Sequence, residues 1–438
     1  MQDEFFALAD GLTRELRGDE IFTCWFSGEQ SDFVRFNHAK VRQAGNALQR
    51  TLTLRLIHNG RQAKSELSLS GGSDDRALAK HALNELRGVV ADLPVDPYLL
   101  YATDVNSSET KRRGVTPESA AIVEQIVDEG QGLDLVGIYA AGPLFRGFAN
   151  SFGQRNWHEA ANFNLEWSLY HQADKAIKTA YAGNEWRVEA FRAKMRAAVT
   201  GLEILRRPAM TIEPGEYRAF LAPRALDEII GMLAWGGLSA KARQTKQSPL
   251  IRMEQGTRLN PQVTLRENTA EGSAPGFQGD GFIKPASVTF IDNGRLAEPL
   301  IAPRTAREYG LISNGANGSE SPECVDLAAG KLNADDSLTA LDTGLHINNL
   351  WYLNFSDRPA CRLTGMTRFA TFWVEHGKII APVNVMRFDD TVYRMLGEKL
   401  IDLTREQELM LDASTYGSRS THSSRLPGAL IAAMKFTL

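Results

Sequence analysis

The dipeptide Asn59-Gly60 restricts what this chain can fold into more than any other feature. Before it, Leu52, Leu54 and Leu56 alternate with Thr51, Thr53 and Arg55; after it come Leu67 and Leu69. Alternation at a period of two puts one apolar row on one face of a strand. Asn-Gly accepts the left-handed backbone of a two-residue turn. The stretch therefore predicts a β-hairpin with one face to bury. Gly71-Gly72 closes its second arm, and a helix is predicted over 75–87. A hairpin of this kind needs a covering layer. Phe5, Leu8, Ala9, Leu12 and Leu16 recur at helical spacing and supply an amphipathic helix to pack on it.

Residues 93–114, with Pro94, Pro97, Ser107, Ser108 and mixed charges, read as a connecting loop. Thr116 is placed as the cap, and Pro117 as the first residue, of a helix with Ile122, Val123, Ile126 and Val127 on its apolar face, ended by Gly130 or Gly132. Strands are expected over 133–139, 144–152 and 162–170; in the last, Phe163, Leu165, Trp167 and Leu169 alternate with polar residues. A long helix follows over 185–206. Pro208 and the turn Glu213-Pro214-Gly215-Glu216 open a second half. That half has one helix after Pro223, carrying Leu226, Ile229, Ile230 and Leu233, which breaks at Gly236-Gly237. Beyond it turn residues come densely between short strands, over 272–281, at Asn293-Gly294 and over 314–318. The expected fold class is α+β. A mixed, α/β-sandwich-like N-terminal domain over 1–207, with a subdivision near 93–114, precedes a mostly antiparallel, β-rich C-terminal domain over 208–438.

Composition narrows the function classes. The chain has 438 residues, 43% hydrophobic and 23% charged, enough for sizeable cores. A net charge of −4 does not support direct nucleic-acid binding. Cys24, Cys324 and Cys361 are scattered, without C-x-x-C spacing, so neither a disulfide framework nor a zinc knuckle is expected. Sparse, odd cysteine usage suits a reducing compartment. Residues 1–16 carry Asp3, Glu4, Asp10, Arg14 and Glu15 instead of the basic start and apolar run of a signal peptide. No run approaches the roughly eighteen apolar residues of a membrane span. A cytoplasmic protein with no membrane contact is the expectation.

Local catalytic motifs are weak. Trp157-His158-Glu159 begins like a zincin helix, but Asn162 stands four residues after His158 and the pattern is that of a strand. The other histidines (His38, His58, His81, His171, His346, His376, His422) are scattered. His422 lies among Ser420, Ser423 and Ser424 in a polar loop, yet no G-x-S-x-G elbow is present, and a triad is defined by geometry. Gly310, Gly315 and Gly318 lack both the Walker lysine and G-x-G-x-x-G spacing. Two alternatives stay open on the residues alone: a self-sufficient hydrolase working from Ser420, Ser423, Ser424 or a histidine cluster, and a homo-oligomeric peptide-binding scaffold.

The most distinctive segment is 363–383. Phe372 and Val374 alternate with Trp373 and Glu375, His376-Gly377 makes a turn, and Ile379 and Ile380 return to Pro382. Thr364-Gly365, Arg368, the run from Phe372 to Gly377 and Pro382-Val383 resemble the C-terminal signature of the TldD/PmbA (TldD/TldE) family, long labelled modulator of DNA gyrase. The resemblance implies a two-subunit metallopeptidase acting on unfolded or flexible peptides. Its TldD-type subunit holds a metal, expected to be zinc, on an H-E-x-x-x-H helix and a later Cys; its PmbA/TldE-type subunit lacks both. Here the helix after Pro223 reads Asp227-Glu228-Ile229-Ile230-Gly231-Met232, with no histidine, and residues 412–426 hold no cysteine. The chain thus resembles the non-catalytic PmbA/TldE-type subunit. The resemblance implies no catalytic residue, metal or cofactor in this chain, and a TldD-like metal-bearing partner, or itself as homodimer. Arg368, Trp373, Glu375 and Asn317 are the candidate peptide or partner contacts: Trp373 as an aromatic anchor or a core residue, Arg368 as a donor to a carboxylate or a peptide carbonyl.

Overall fold

The computed structural model describes residues 1–115, 117–172 and 175–437. β1 (Ile21–Asn37) pairs antiparallel with β2 (Lys40–His58), which turns at Asn59 and Gly60, both at positive φ, into β3 (Arg61–Ser68). Leu52 faces Leu67 and His58 faces Arg61 across that hairpin, as the Asn-Gly signal predicts. β4 (Ser108–Arg112), β5 (Asp134–Asn150), β6 (Arg155–Gln172) and β7 (Lys175–Gly183) complete a seven-stranded sheet. Its order is β3-β2-β1-β5-β6, with β7 and β4 both paired to β6.

Period-two alternation gives this sheet two unlike faces. Phe22, Cys24 and Phe26 of β1, the Leu52, Leu54 and Leu56 row of β2, and Trp157 of β6 are buried under α1 (Gln2–Thr13) and α2 (Asp74–Val90). Further along the same face, Tyr139 of β5 and Phe163, Leu165, Trp167 and Leu169 of β6 lie under α3 (Ser119–Glu129) and α4 (Val188–Leu205). The opposite face carries Glu29, Ser31, Arg146, His158, Asn162 and Glu166, and receives the second half of the chain.

Three expectations change. Residues 133–139 and 144–152 form one strand, β5, because Gly142 (φ 132°) lets the backbone pass close to Gln30; a Cβ there would collide with the Gln30 carbonyl oxygen. Residues 93–114 are not loop throughout, since β4 pairs in parallel with β6. Its short polar sequence carries no strand pattern, and only the neighbouring strand gives it one. Helix α3 opens at Ser119 with Glu118 as its cap residue, so Pro117 precedes the helix; the Thr116 cap lies outside the described residues.

The second half is a thirteen-stranded, mostly antiparallel sheet. β8 (Gly215–Leu221) leads into α5 (Pro223–Ala234), whose Leu226, Ile229, Ile230 and Leu233 are buried against the sheet. The predicted hairpin forms from Thr371–Glu375 and Lys378–Pro382 around His376 (φ 49°) and Gly377 (φ 72°). Ser423–Phe436 is the central strand. It pairs in parallel with Cys324–Leu327 and antiparallel with β8 and Leu400–Leu411.

Among the side chains that tie the halves together, Arg419 is the most extensively bonded. Residues 412–422 leave Leu400–Leu411 and plunge Arg419 into the polar face of the first sheet. The Arg419 main-chain N–H donates to Glu29 Oε2 (3.1 Å). Its guanidinium donates to Ser31 Oγ (3.2 Å), the Gly142 carbonyl (3.1 Å), and the Asn162 carbonyl and side chain. Arg419 is 5% exposed and Glu29 2%. Burial pulls the guanidinium down to about 10, still cationic at neutral pH, and Glu29 favours its charge. Truncating the side chain leaves the buried acceptors of Ser31, Gly142 and Asn162 unpaired and removes the positive charge nearest the buried Glu29. Arg419→Ala is therefore expected to cost about 3 kcal/mol or more, measured calorimetrically as a lower melting temperature. An unchanged melting temperature would mean that the contact is dispensable.

Candidate functional site

Helix α5 carries two kinds of surface. Arg224, Asp227 and Glu228, at i, i+3 and i+4, share one side, opposite the buried Leu226, Ile229, Ile230 and Leu233. Pro223 begins the helix, where its missing N–H costs nothing. The charged side is turned toward the polar face of the first sheet. Arg224 forms an ion pair with Glu166 of β6, and Lys178 of β7 lies 3.8 Å from the same carboxylate. Asp227 Oδ1 accepts a hydrogen bond from Ser424 Oγ at 2.8 Å, across 197 residues of sequence. Burial raises the Asp227 carboxyl above the usual carboxylate range against the pull of Ser424 and Arg224, and Glu408 adds to the rise. Glu228 sits at the more open mouth; the surrounding protein mass and then Asp227 raise it too.

Lys194 of α4 and Glu408 bridge the halves at 2.7 Å. Clefts of about 450 and 430 Å³ open on either side of this pair, and Lys194, Pro223 and Glu408 line both. The larger cleft has an apolar wall from Ile177, Ile204, Phe372 and Ile379, and includes His346. The His346 ring stacks on Phe220 at 5.2 Å, and its Nδ1 finds no partner among the described residues. Burial lowers its pKa to about 4, so it is neutral at physiological pH. A third, more polar groove of about 560 Å³ lies on the open end of the first sheet and meets the first cleft at Lys178.

These residues do not fit a zinc ion. Zinc takes imidazole, thiolate and carboxylate donors in tetrahedral array. Helix α5 has carboxylates at Asp227 and Glu228, but Gly231 faces open space without a side chain and Met232 is buried. The group nearest the Asp227 carboxylate is the Ser424 hydroxyl, a poor zinc donor. Among the described residues no group of three or more His, Cys, Asp or Glu is arranged to hold a metal.

The sequence candidates fall elsewhere. His158 lies in β6, a strand as expected, and its Nε2 meets the Ser273 carbonyl at 3.0 Å across the junction; burial lowers its pKa to about 4. Ser420 Oγ accepts from the main-chain N–H of His422, while the His422 ring lies 3.8 Å from Glu323 and Ser424 is committed to Asp227. Arg368 stacks over Trp351 (4.0 Å) and Phe369 (5.3 Å). Trp373 Nε1 donates to Glu375 Oε1 (2.8 Å), and the indole meets Tyr217 edge-on. Asn317 clips its own loop through the Ser321 carbonyl and main-chain N–H. None of Arg368, Trp373, Glu375 and Asn317 lines the clefts beside α5. The residues that do, Arg224, Lys178, Lys194 and Glu408, escaped the sequence reading. The i, i+3, i+4 charges of α5 were a visible signal, but such a row is ordinarily a solvated helix face.

Residues 214–438 match the model of the PmbA/TldA metallopeptidase C-terminal domain. No curated protein matches the chain significantly in sequence. Among solved structures, TldE from Thermococcus kodakarensis superposes with a TM-score of 0.78 at 16% identity, covering 99% of this chain and 100% of that one. A proposed modulator of a DNA gyrase from Thermotoga maritima gives 0.78 at 14% identity, with 100% of each chain covered. A similarly described protein from Bacteroides thetaiotaomicron gives 0.74 at 14%, covering 99% and 98%. At these identities the likeness is one of fold.

The raised Asp227 carboxyl fixes a sign. A folded-state pKa above the unfolded value near ~3.9 contributes stability that is present at low pH and lost as pH rises through the folded value. Asp227→Asn keeps an oxygen acceptor for Ser424 and removes the buried charge. It is expected to raise the melting temperature by about 1–2 °C at pH 7.5, with the gain shrinking toward pH 4. A gain that does not depend on pH would assign the effect to packing.

Proposed function

The chain belongs to the PmbA/TldD metallopeptidase family, and from that premise we propose that it is a PmbA/TldE-like, non-catalytic subunit of a two-component peptidase acting on unfolded or flexible peptides. The observation that carries this reading is the donor set at α5. The helix on which the family's TldD-type subunits place their metal motif here presents Asp227, Glu228 and Met232, and the late segment brings the Ser424 hydroxyl to it. The likeness of fold to a protein named TldE supports the same choice.

On this reading a TldD-like subunit carries the metal and the hydrolytic chemistry. This chain contributes wall and selection. The larger cleft beside Lys194 and Glu408 offers an apolar wall from Phe372 and Ile379 and charge from Lys178 and Arg224. Arg419 holds the two halves in register, so the clefts keep their shape. Contact with nucleic acid is not part of the proposal, since the net charge is −4. A reducing, cytoplasmic setting agrees with three free, buried cysteines. No helix among the described residues is long and apolar enough to cross a membrane.

Metal analysis and peptidase assay on an unfolded fluorogenic peptide test the reading, with this chain alone and mixed with a TldD-like subunit from the same genome. The expected result is no stoichiometric metal and no turnover alone, with turnover in the mixture exceeding that of the TldD-like subunit by itself. Stoichiometric zinc, or turnover by the purified chain alone, would overturn it.

A further inference from the structure

The chain as a whole is acidic, yet from residue 33 to residue 65 it contains no Asp or Glu and seven Lys or Arg. Two of these cations stand where they can act. Arg35 of β1 and Arg42 of β2 are exposed and line the groove on the open end of the first sheet. They enter no ion pair among the described residues, whereas Arg50 and Arg55 of the same hairpin pair with Glu4 and Asp280.

The register turns this groove into a track. Gln43 is opposite Arg35, Arg35 opposite Ile138, and Ile138 opposite Glu166, so these side chains form one row on the polar face from β2 across β1 and β5 to β6. Lys178 of β7 stands beside the end of the row, opposite Ser168. Four interstrand steps from β2 to β7 span about 19 Å, the length of about six residues of extended chain. The one carboxylate on the track, Glu166, is already taken by Arg224. Lys178 shares that carboxylate at 3.8 Å. Arg35 and Arg42 are left facing the groove, which ends where the cleft beside α5 begins.

We propose that this groove binds an acidic, extended peptide segment of about six residues, drawing it across the first sheet toward α5. The inference rests on the reading of the chain as a peptide-handling subunit, and it adds the chemical class of peptide preferred. Carboxylates of the segment pair with Arg35 and Arg42 at the entry, and at the inner end share Lys178 with Glu166. Pairs of this kind at a partly open site are screened by salt.

Fluorescence anisotropy of the purified full chain tests it with two labelled probes, a Gly-Glu repeat and a Gly-Lys repeat of equal length. The Gly-Glu probe is expected to bind at least about tenfold more tightly. The double variant Arg35→Gln/Arg42→Gln is expected to lose about tenfold in affinity for it, as is the wild type when salt is raised from about 50 to about 500 mM. Lys64→Gln, on the same hairpin outside the groove, should leave binding unchanged. Equal affinity for the two probes, no saturable binding of either, or full affinity in the double variant would each overturn the proposal. Because binding is read on this chain alone, failure here is distinct from failure of the subunit reading, which is decided by turnover in the mixture.

Discussion

The buried guanidinium of Arg419 is the most extensively bonded contact between the two halves. It reaches strands β1, β5 and β6 at once, through Ser31, Gly142 and Asn162, while its own main-chain N–H holds Glu29. A charged group with most of its donors matched has few alternative positions, because shifting it leaves donors and Glu29 unsatisfied in a medium of low dielectric. The loop that carries it begins at the end of Leu400–Leu411 and leads into the central strand Ser423–Phe436. The pairing of those two strands sets Ser424 beside Asp227 and Glu408 beside Lys194.

The chemistry near α5 is set by residues far apart in sequence. The helix, the late strand and the opposing sheet are arranged so that residues far apart in sequence converge at one place, as a metal site would require. What converges is a carboxylate and a hydroxyl. The pair is electrostatically uncomfortable: burial raises the Asp227 carboxyl, and neither Gly231 nor Met232 adds a donor that would draw in a cation. Around it the charges settle as bridges between the halves, Arg224 with Glu166 and Lys194 with Glu408. A position that could have bound an ion is instead part of the joint between two layers.

Much of the fold was legible in the sequence. The Asn59-Gly60 and His376-Gly377 hairpins, the apolar face of α5 and its stop at Gly236-Gly237 follow from local periodicity and turn chemistry, and they form where expected. Failures occurred where a neighbour, and not the local sequence, decided the outcome. The two strands expected over 133–139 and 144–152 are one long strand, because the backbone of β1 runs against Gly142. Ser108–Arg112 reads as loop but becomes a strand because β6 offers it an edge. The site was less legible than the fold. The absence of histidine on α5 and of cysteine over 412–426 could be read directly, and so could the likeness of the segment 363–383 to a family signature. The partners of Arg224, Asp227, Lys194 and Arg419 could not, since each lies 58 or more residues away.

The sequence by itself determined the α+β class, the principal hairpins, and that α5 carries no histidine and residues 412–426 no cysteine. Those properties are set by the period of side chains along a strand or helix and by the identity of single residues. The tertiary structure alone decided which charges meet, where the clefts open, and that Arg35, Arg42 and Lys178 share one groove. Charge pairing and cavity shape depend on distances through space, and strand register across β2, β1, β5, β6 and β7 fixes those distances only once the sheet has formed.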